Sequence, residues 1–203
     1  MNDLAQGSAG WLAQRAGHCT ASRFKDVLAK LKNGGEAAER KKYRLQLVTE
    51  RLTGQPCPSF ENDAMRWGKE TEPFARAAYE TARGLMVDET GFVLHQDFTW
   101  VGGSPDGLVG DDGLIEIKCP FNSVVHVETM LGGMPSEHRA QVQGLLWIAG
   151  RDWADFISFD PRMPPKLQLY VERVKREPTY IELLEQETTK FLEEVNKQYE
   201  WIA

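Results

Sequence analysis

The chain has 203 residues, of which 41% are hydrophobic and 27% are charged, and its formal net charge is −6. This length suits one domain with a sizeable core, so we expect residues 1–203 to form a single domain. No apolar run approaches the roughly 20 residues that a membrane-spanning helix needs. The acidic balance argues against broad, nonspecific attraction to nucleic acid, although a local basic groove is compatible with it.

The cysteines, Cys19, Cys57 and Cys119, are scattered along the chain and odd in number. This usage argues against a disulfide framework and indicates a reducing compartment. Three cysteines are also too few for the four ligands of an iron–sulfur cluster. Residues 1–10 lack the basic start and the apolar core of a secretory signal. We therefore expect a cytoplasmic protein with no membrane partner.

Helical periodicity dominates the first part of the chain, after a loose lead-in over residues 1–10. Thr20 is a plausible N-cap for a helix that has Phe24, Val27 and Leu31 on its buried side. The lysine–asparagine–glycine–glycine segment that follows ends this helix.

The next two predicted helices are amphipathic. In the first, Leu52 points inward and residues 39–42 point outward. In the second, Phe74 belongs to the buried stripe, Pro73 marks a bend and Gly84 ends the helix. The predicted helices, the first of them a short helix or a turn, cover residues 11–17, 20–31, 36–52, 64–83, 124–130, 136–148 and 178–201.

Short apolar or alternating runs predict strands between and after these helices. The predicted strands cover residues 85–87, 92–95, 99–101, 114–118, 153–159 and 167–174. Helices thus precede a strand meander, which is followed by a crossover helix, further strands and a final helix. This order predicts an α/β fold with a central mixed β-sheet flanked by helices.

Residues 103–120, GSPDGLVGDDGLIEIKCP, combine a turn, an acidic residue and a charged strand. Side chains two apart on a strand share a face, so Glu116 and Lys118 point the same way. Asp106 lies in a Ser-Pro-Asp-Gly turn, and turn residues fill positions 109–113. A hairpin there would fold Asp106 back beside Glu116, so that two carboxylates and a lysine meet.

Carboxylate oxygens suit magnesium or manganese, which keep several waters and take phosphate oxygens as further ligands. Such an ion activates water and stabilises the charge of a phosphodiester under attack. Lys118 would steady that charge or position the water. The alternative is an ordinary surface hairpin, because Glu-x-Lys alone is a common tripeptide.

The segment from Ser104-Pro105-Asp106 to Glu116-Ile117-Lys118-Cys119-Pro120 resembles the active-site segment of the bacteriophage lambda exonuclease family. That family overlaps the YqaJ-like viral recombinases, within the restriction-endonuclease-like PD-(D/E)XK superfamily. Further matches follow in order and extend the resemblance over about residues 11–175. They lie at residues 11–22, at residues 67–69 with Glu72, at residues 140–143 and at residues 159–163.

The resemblance implies a restriction-endonuclease-like core and a set of roles at the cleavage centre. Asp106 and Glu116 would bind the metal, with the backbone carbonyl of Ile117 as a further ligand. Lys118 would contact the attacking water or the scissile phosphate. Glu72 would help to hold metal-bound water. Gln141 would lie beside Lys118 and order it.

The resemblance also implies contacts with DNA. Arg15, Ser22 and Ser104 would bind the phosphate at the 5′ end of the digested strand. Met65 falls where the family uses an apolar wedge, and Lys32 falls where a basic side chain reaches toward the minor groove. The chain departs from the family pattern at residues 34–36, where the basic cluster is thinner, and at residues 61–63, which are acidic where a lysine is expected.

Each of these residues also has an ordinary interpretation. Arg15 is otherwise a surface arginine, Met65 a core residue, and Ser22, Ser104 and Gln141 helix or turn residues. The histidines show no metal-ligand spacing, which indicates that they are structural or solvated. They are His18, His95, His126 and His138.

The resemblance implies a processive, magnesium-dependent exonuclease, with manganese as a possible substitute. It would digest double-stranded DNA ends from 5′ to 3′, release mononucleotides and leave 3′ single-stranded overhangs for phage-type homologous recombination. It further implies a ring-shaped homotrimer, a single-strand annealing protein as partner, and a phage or prophage origin in a bacterial cytoplasm. A structure-specific or restriction-type endonuclease and a non-catalytic DNA-binding module stay open as alternatives.

Overall fold

The computed structural model describes residues 6–32, 34–58 and 60–203. The α-helices of this part of the chain are α1 (Ala9–Arg15), α2 (Phe24–Val27), α3 (Ala38–Thr53), α4 (Asp63–Arg83), α5 (Ser123–Gly132), α6 (Arg139–Ala149) and α7 (Pro178–Ile202). The strands are β1 (Cys19–Thr20), β2 (Val93–Leu94), β3 (Val101–Gly103), β4 (Gly107–Val109), β5 (Gly113–Lys118), β6 (Trp153–Phe159) and β7 (Leu169–Lys175). Single 3-10 turns lie at Ala21–Arg23, Ser136–His138 and Pro165–Leu167.

The described strands form two sheets. The larger has the order β4-β5-β6-β7, in which β5 and β6 are parallel and the other pairs are antiparallel. The smaller has the order β1-β3-β2, and β1 runs parallel to β3. The expected fold class, a mixed sheet flanked by helices, is confirmed, with the strands divided between two sheets rather than joined in one.

The two inner strands of the larger sheet, β5 and β6, are buried on both faces. Leu114 belongs to the main hydrophobic cluster, which is formed with α2, α3, α6 and α7. Ile115 and Ile117 belong to a second cluster, which includes Ala75 and Tyr79 of α4. Successive strand residues point to opposite faces. Glu116 therefore shares the face of Leu114, toward α6.

The predicted helix over residues 20–31 is confirmed only in part, because helical turns cover residues 21–27 and stop there. Thr20 lies in β1, whose main chain pairs with that of β3, and its N–H donates to the Tyr43 hydroxyl at 2.9 Å. These bonds hold Thr20 extended, and its side chain makes no capping bond. The helix that follows, α2, ends at Val27, and Leu31 is 51% exposed instead of buried.

Some helix side chains that were predicted to be buried are exposed, and one that was predicted to be exposed is buried. Leu52 and Phe74 are 40% and 67% exposed, whereas Arg40, predicted to point outward, is buried. Arg40 can be buried because its guanidinium donates to the carbonyl of Val27 at 3.1 Å and to Glu194 at 2.7 and 3.0 Å. A charged side chain with paired donors can be covered at little cost.

The strand meander also differs in detail. Residues 85–87 form no strand, and only an isolated bridge joins Asp88 to Leu108. β4 (Gly107–Val109) is a strand that was not among the predicted strands, and it ends where the predicted turn begins. The other predicted helices and strands are confirmed within a few residues at their ends. Parts of the predicted lead-in and loops, at residues 1–5, 33 and 59, lie outside the described residues.

Helix α4 begins after Asn62, whose side chain accepts from the N–H of Met65, and ends at Gly84 with φ of 63°. Pro73 lies inside it, as expected. No helix in the described ranges is both long enough and apolar enough to pass through a membrane.

Two helical glycines provide a matched test of packing. A Cβ atom on Gly144 of α6 would lie 2.3 Å from Cδ2 of the buried Phe24 ring, whereas a Cβ on Gly68 of α4 would meet nothing within 4 Å. We expect Gly144→Ala to lower the free energy of unfolding by about 1–3 kcal/mol through overpacking. Gly68→Ala should raise it by about 0.5–1 kcal/mol, because alanine loses less entropy in a helix. Urea denaturation measures both, and changes of the same sign would contradict this account.

Candidate active site

The β4–β5 hairpin brings Asp106 next to the strand that carries Glu116. Gly107 pairs with Ile115 in the antiparallel register. The N–H of Asp106 donates to the carbonyl of Ile115 at 3.2 Å, and the N–H of Ile117 donates to Oδ2 of Asp106 at 2.6 Å. One strand therefore fixes both the main chain and the carboxylate of Asp106, in the hairpin that the turn residues predict.

Glu116 is almost fully buried, with 1% of its surface exposed. Its Oε1 accepts from Nζ of Lys118 at 2.5 Å and from Nε2 of Gln141 at 2.6 Å. The side-chain carbonyl of Gln141, on α6, accepts in turn from Lys118 at 3.3 Å. The three side chains thus form a closed triangle of hydrogen bonds, and each fixes the direction of the other two.

Asp106, Glu116 and Glu72 of α4 act on one another electrostatically. Burial raises the pKa of Asp106 well above its usual range, and the charges of Glu116 and Glu72 raise it further. Burial also raises the pKa of Glu72; Arg76 opposes this rise, and Glu116 adds to it. These carboxylates therefore create a region of negative potential that the protein compensates only in part.

Lys118 balances part of this charge. Burial works against its ammonium group, but Glu116 and Asp106 outweigh burial and raise the pKa of Lys118. A lysine with a raised pKa stays protonated at neutral pH and can only donate hydrogen bonds. Lys118 is therefore suited to hold an anion or a water molecule in place, rather than to accept a proton.

The donor set fits a divalent cation. Oε2 of Glu116 is buried and has no hydrogen-bond partner in the described part of the chain. An unsatisfied carboxylate oxygen in a protein interior is costly unless a cation or water binds it. In the described ranges, no three His, Cys, Asp or Glu side chains are grouped as a metal site. The fit rests on Asp106 and Glu116, and the carbonyl of Ile117 is a candidate third ligand.

Asp155 of β6 shows what a buried carboxylate looks like when the protein satisfies it. Arg173 donates to its two oxygens at 2.8 and 2.9 Å, and the Tyr79 hydroxyl donates at 2.7 Å. Burial works against its charge, but these hydrogen bonds hold the pKa of Asp155 below its usual range. Asp106 shifts in the opposite direction, which is typical of functional carboxylates.

Arg15, in the last turn of α1, presents a cation to a cavity of about 330 Å³. Its guanidinium lies 4.1 Å from the centroid of the Trp11 ring. Burial lowers the pKa of Arg15, and Glu50 partly opposes this shift. The oxygens of Glu50 are already bonded, since they accept from the N–H groups of Gly17 at 2.8 Å and of Cys57 at 3.1 Å. Arg15 is therefore available to an anion in the cavity.

Other predicted phosphate-binding residues lie around this cavity. Ser22 lines it, in the 3-10 turn before α2 rather than in a helix capped by Thr20. Ser104 is connected to Arg15 through Trp11, whose indole N–H donates to Oγ of Ser104 at 2.9 Å. Trp11 thus holds Arg15 by its ring face and Ser104 by its ring edge.

A second cavity, of about 230 Å³, joins this region to the carboxylate centre. It is lined by Ser22, Lys118 and Gln141 together with Lys25 and His138. Ser22 borders both cavities, so the cavity beside Arg15 and the cavity beside Lys118 adjoin.

Lys25 and His138 were not singled out as site residues from the sequence. Each lies three positions from a predicted site residue, Lys25 after Ser22 and His138 before Gln141, and helical spacing by three places side chains on one face. Burial and then the charge of Lys118 lower the pKa of His138 to about 4. His138 is therefore neutral at pH 7.

The two residues that the resemblance places on DNA differ in their surroundings. Met65, in the first turn of α4, is 47% exposed and lines the same cavity as Arg15. Lys32 is exposed in the turn after α2 and lines neither cavity. Met65 is thus close to Arg15 and Ser22, and Lys32 is a surface cation outside this cavity.

Several proteins of known structure are similar to this chain in fold, and some are also similar in sequence. An alkaline exonuclease from Laribacter hongkongensis (LHK-Exo) is 42% identical, with a TM-score of 0.87 and 95% of each chain covered. Its complex with dAMP gives the same identity and coverage and a TM-score of 0.88. A phage related exonuclease from Haemophilus somnus 129PT shares the fold at 16% identity, with a TM-score of 0.74 over 92% of this chain and 96% of that one.

No curated protein matches the chain significantly. Residues 10–152 match the model of the YqaJ-like viral recombinase domain. This match spans more than half of the chain and includes Arg15, Glu72, Asp106, Glu116 and Gln141. The chain belongs to the YqaJ-like viral recombinase family.

Proposed function

We propose that this protein is a magnesium-dependent exonuclease that digests double-stranded DNA processively from 5′ ends. It releases 5′-mononucleotides and leaves 3′ single-stranded overhangs for phage-type recombination. Manganese would replace magnesium, because the same oxygen ligands suit both ions.

The coarser part of this assignment follows from the relatives. The protein is an exodeoxyribonuclease of the phage type, because it belongs to the YqaJ-like family and is 42% identical to an alkaline exonuclease over nearly its whole length. That relative also forms a complex with dAMP, which supports a nucleoside 5′-monophosphate as the product of the present enzyme.

The cleavage centre is proposed to be the set around Glu116. Asp106, Glu116 and the Ile117 carbonyl would hold the cation, which supplies Lewis-acid stabilisation of the phosphate and a more acidic water. Lys118, kept protonated by its carboxylate neighbours, donates to a phosphate oxygen or to the attacking water. Gln141 fixes the direction of Lys118 through its side-chain carbonyl. Glu72 accepts a hydrogen bond from water at the edge of this group.

The observation that carries end recognition is that Ser22 borders both cavities. An anion pocket that adjoins a cleavage centre can hold the 5′ phosphate of the strand being cut, and each cut leaves a new 5′ phosphate for the next cycle. Arg15 offers a planar fork for phosphate oxygens, and Ser22 and Ser104 add hydroxyl donors. Repeated use of this pocket supports processive digestion from 5′ to 3′.

Further DNA contacts follow from the same geometry. Met65 lines the Arg15 cavity and is exposed enough to act as an apolar wedge at the terminal base pairs. Lys25 adds a second cation beside Ser22. Lys32 would contact the duplex farther from its end.

The cellular setting of the enzyme is proposed from its family. We expect a homotrimer that encircles the duplex, which would prevent loss of the substrate between cuts. A single-strand annealing protein would take over the 3′ overhang. Both would work in the cytoplasm of a bacterial cell that carries the phage or prophage.

The cation site makes a prediction about stability. The raised pKa of Asp106 means that the folded state binds more protons than the unfolded state, which ionises near pH 3.9. The contribution of Asp106 to the stability of the folded state therefore falls as the pH rises from the unfolded-state pKa through the higher folded-state pKa. With EDTA at pH 7, Asp106→Asn should raise the free energy of unfolding by about 1–3 kcal/mol, and calcium should stabilise the wild type only.

The control for this prediction is the same substitution at the satisfied carboxylate. Asp155→Asn should lower the free energy of unfolding by about 1.5–3 kcal/mol, because it weakens the charged hydrogen bonds that the buried carboxylate accepts from the half-exposed Arg173. Urea denaturation with EDTA and with calcium measures both variants. A loss of stability in Asp106→Asn would speak against the cation site.

The cleavage activity is tested on a linear duplex labelled at either end, with a closed circular duplex beside it. The wild type with magnesium should shorten the linear duplex from its 5′ ends and leave the circle intact. Glu116→Gln should be inactive but folded, and calcium should support binding without turnover, because its looser coordination does not align the attack. Cutting of the circle would favour the endonuclease alternative, and no cutting by the wild type would favour a DNA-binding module.

The Arg15 pocket predicts a preference for phosphorylated ends. A duplex with 5′ phosphates should be digested faster than one with 5′ hydroxyls, and Arg15→Gln should remove most of the difference. Removal of a charged hydrogen bond costs about 1.5–3 kcal/mol, which corresponds to roughly 10- to 100-fold in the rate ratio. Arg151→Gln, a change at a surface arginine that donates to the Gly110 carbonyl, is the control and should keep the preference. Equal rates on both wild-type substrates would refute the pocket.

A further inference from the structure

Arg76 lies one helical turn after Glu72 on α4 and is held between two carboxylates. Its Nη2 donates to Oε1 of Glu72 at 2.7 Å, and its Nη1 lies 3.0 Å from Oε2 of Glu89. The side chain of Arg76 is 12% exposed, whereas that of Glu89 is 72% exposed. Glu89 belongs to the segment between α4 and β2, so the arginine joins the helix to that segment.

Arg76 determines where the Glu72 carboxylate can lie. Among the described residues, it is the only group that hydrogen-bonds this carboxylate. The charge of Glu116 also acts on Glu72 and disfavours its ionised form. Glu72 is thus pulled by Arg76 away from a region that the like charges of Glu116 and Asp106 already occupy.

A cation bound at Asp106 and Glu116 would change this balance. It would attract Glu72 inward, and a free carboxylate with 30% of its side chain exposed has room to follow. The guanidinium of Arg76 opposes that movement through a charge-assisted hydrogen bond. Glu89 strengthens the opposition, because an arginine tied at both ends of its planar fork cannot turn toward the cation with Glu72.

We infer that Arg76 is a positioning residue that holds Glu72 at the edge of the cation site and prevents it from becoming a direct ligand, and that Glu89 anchors Arg76 in this role. This inference rests on the proposed function. Held in this way, Glu72 accepts a hydrogen bond from water at the site. Released, it would fill a coordination position that the attacking water or the substrate phosphate needs.

The inference gives an unusual signature, because cation affinity and turnover should move in opposite directions. Arg76→Gln removes the charge and the tether, so Glu72 should bind the cation directly and calcium should bind several-fold more tightly. Turnover with magnesium should fall by roughly 10- to 100-fold, which is the usual loss when a residue of the shell around a metal site is replaced. Glu89→Gln should shift both quantities in the same directions by a smaller factor.

The experiment measures calcium binding by calorimetry on the protein alone and, separately, digestion of a linear duplex with magnesium. Arg83→Gln, in the last turn of the same helix, is the control and should leave both quantities unchanged. In the double variant Glu72→Gln with Arg76→Gln, calcium should bind no more tightly than in Glu72→Gln alone, because no carboxylate is left to move. This result would separate the inference from a general electrostatic effect of the arginine.

Weaker or unchanged calcium binding in Arg76→Gln would overturn the inference, since a merely structural arginine gives that result. If Arg76→Gln does not fold, Glu89→Gln decides, because Glu89 is exposed and its replacement leaves the core intact. Unchanged affinity and turnover in that variant would also overturn it. If the wild-type protein binds no calcium, the proposed cation site itself is refuted. That outcome differs from a failure of the inference about Arg76.

Discussion

Two acidic side chains held against each other in the interior are the constraint on which the structure of this site depends. The register of β4 and β5 places Asp106 beside the strand that carries Glu116, and the N–H of Ile117 fixes the Asp106 carboxylate there. Such an arrangement is unfavourable by itself, because burial and like charge both raise the free energy of the ionised form. The side chains around it can be understood as partial compensation, to which the proposed cation would add.

The compensation comes from both sides of the larger sheet. Helix α6 contributes Gln141, which bonds Glu116 and Lys118, and α4 on the opposite face contributes Arg76, which bonds the further carboxylate of Glu72. Both helices are fixed by packing: α6 by its close contact with Phe24 at Gly144, and α4 by Tyr79. Two separate hydrophobic clusters thus position the groups that meet at the strand ends.

Much of this arrangement could be predicted from local sequence, because it depends on short-range patterns. Strand alternation placed Glu116 and Lys118 on one face, and turn residues indicated the hairpin that returns Asp106 to Glu116. The failures have a common cause in long-range pairing. Thr20 has the chemistry and the extended backbone of a helix cap, but it pairs with a strand some eighty residues later and its side chain makes no capping bond. Arg76 was missed because its role depends on Glu89, which follows α4 and gives no periodic signal.

The position of Arg15 has a consequence for how the molecule responds to heat and proteases. Helix α1 contains no buried residue, and it is attached through contacts such as those of Trp11 with Ser104 and of Gly17 with Glu50. Segments with few buried contacts open locally at a small fraction of the global unfolding free energy. Glu116, by contrast, lies on β5, an inner strand of the larger sheet whose residues are almost all buried. We therefore expect mild warming to loosen the proposed anion pocket before it affects the proposed cleavage centre.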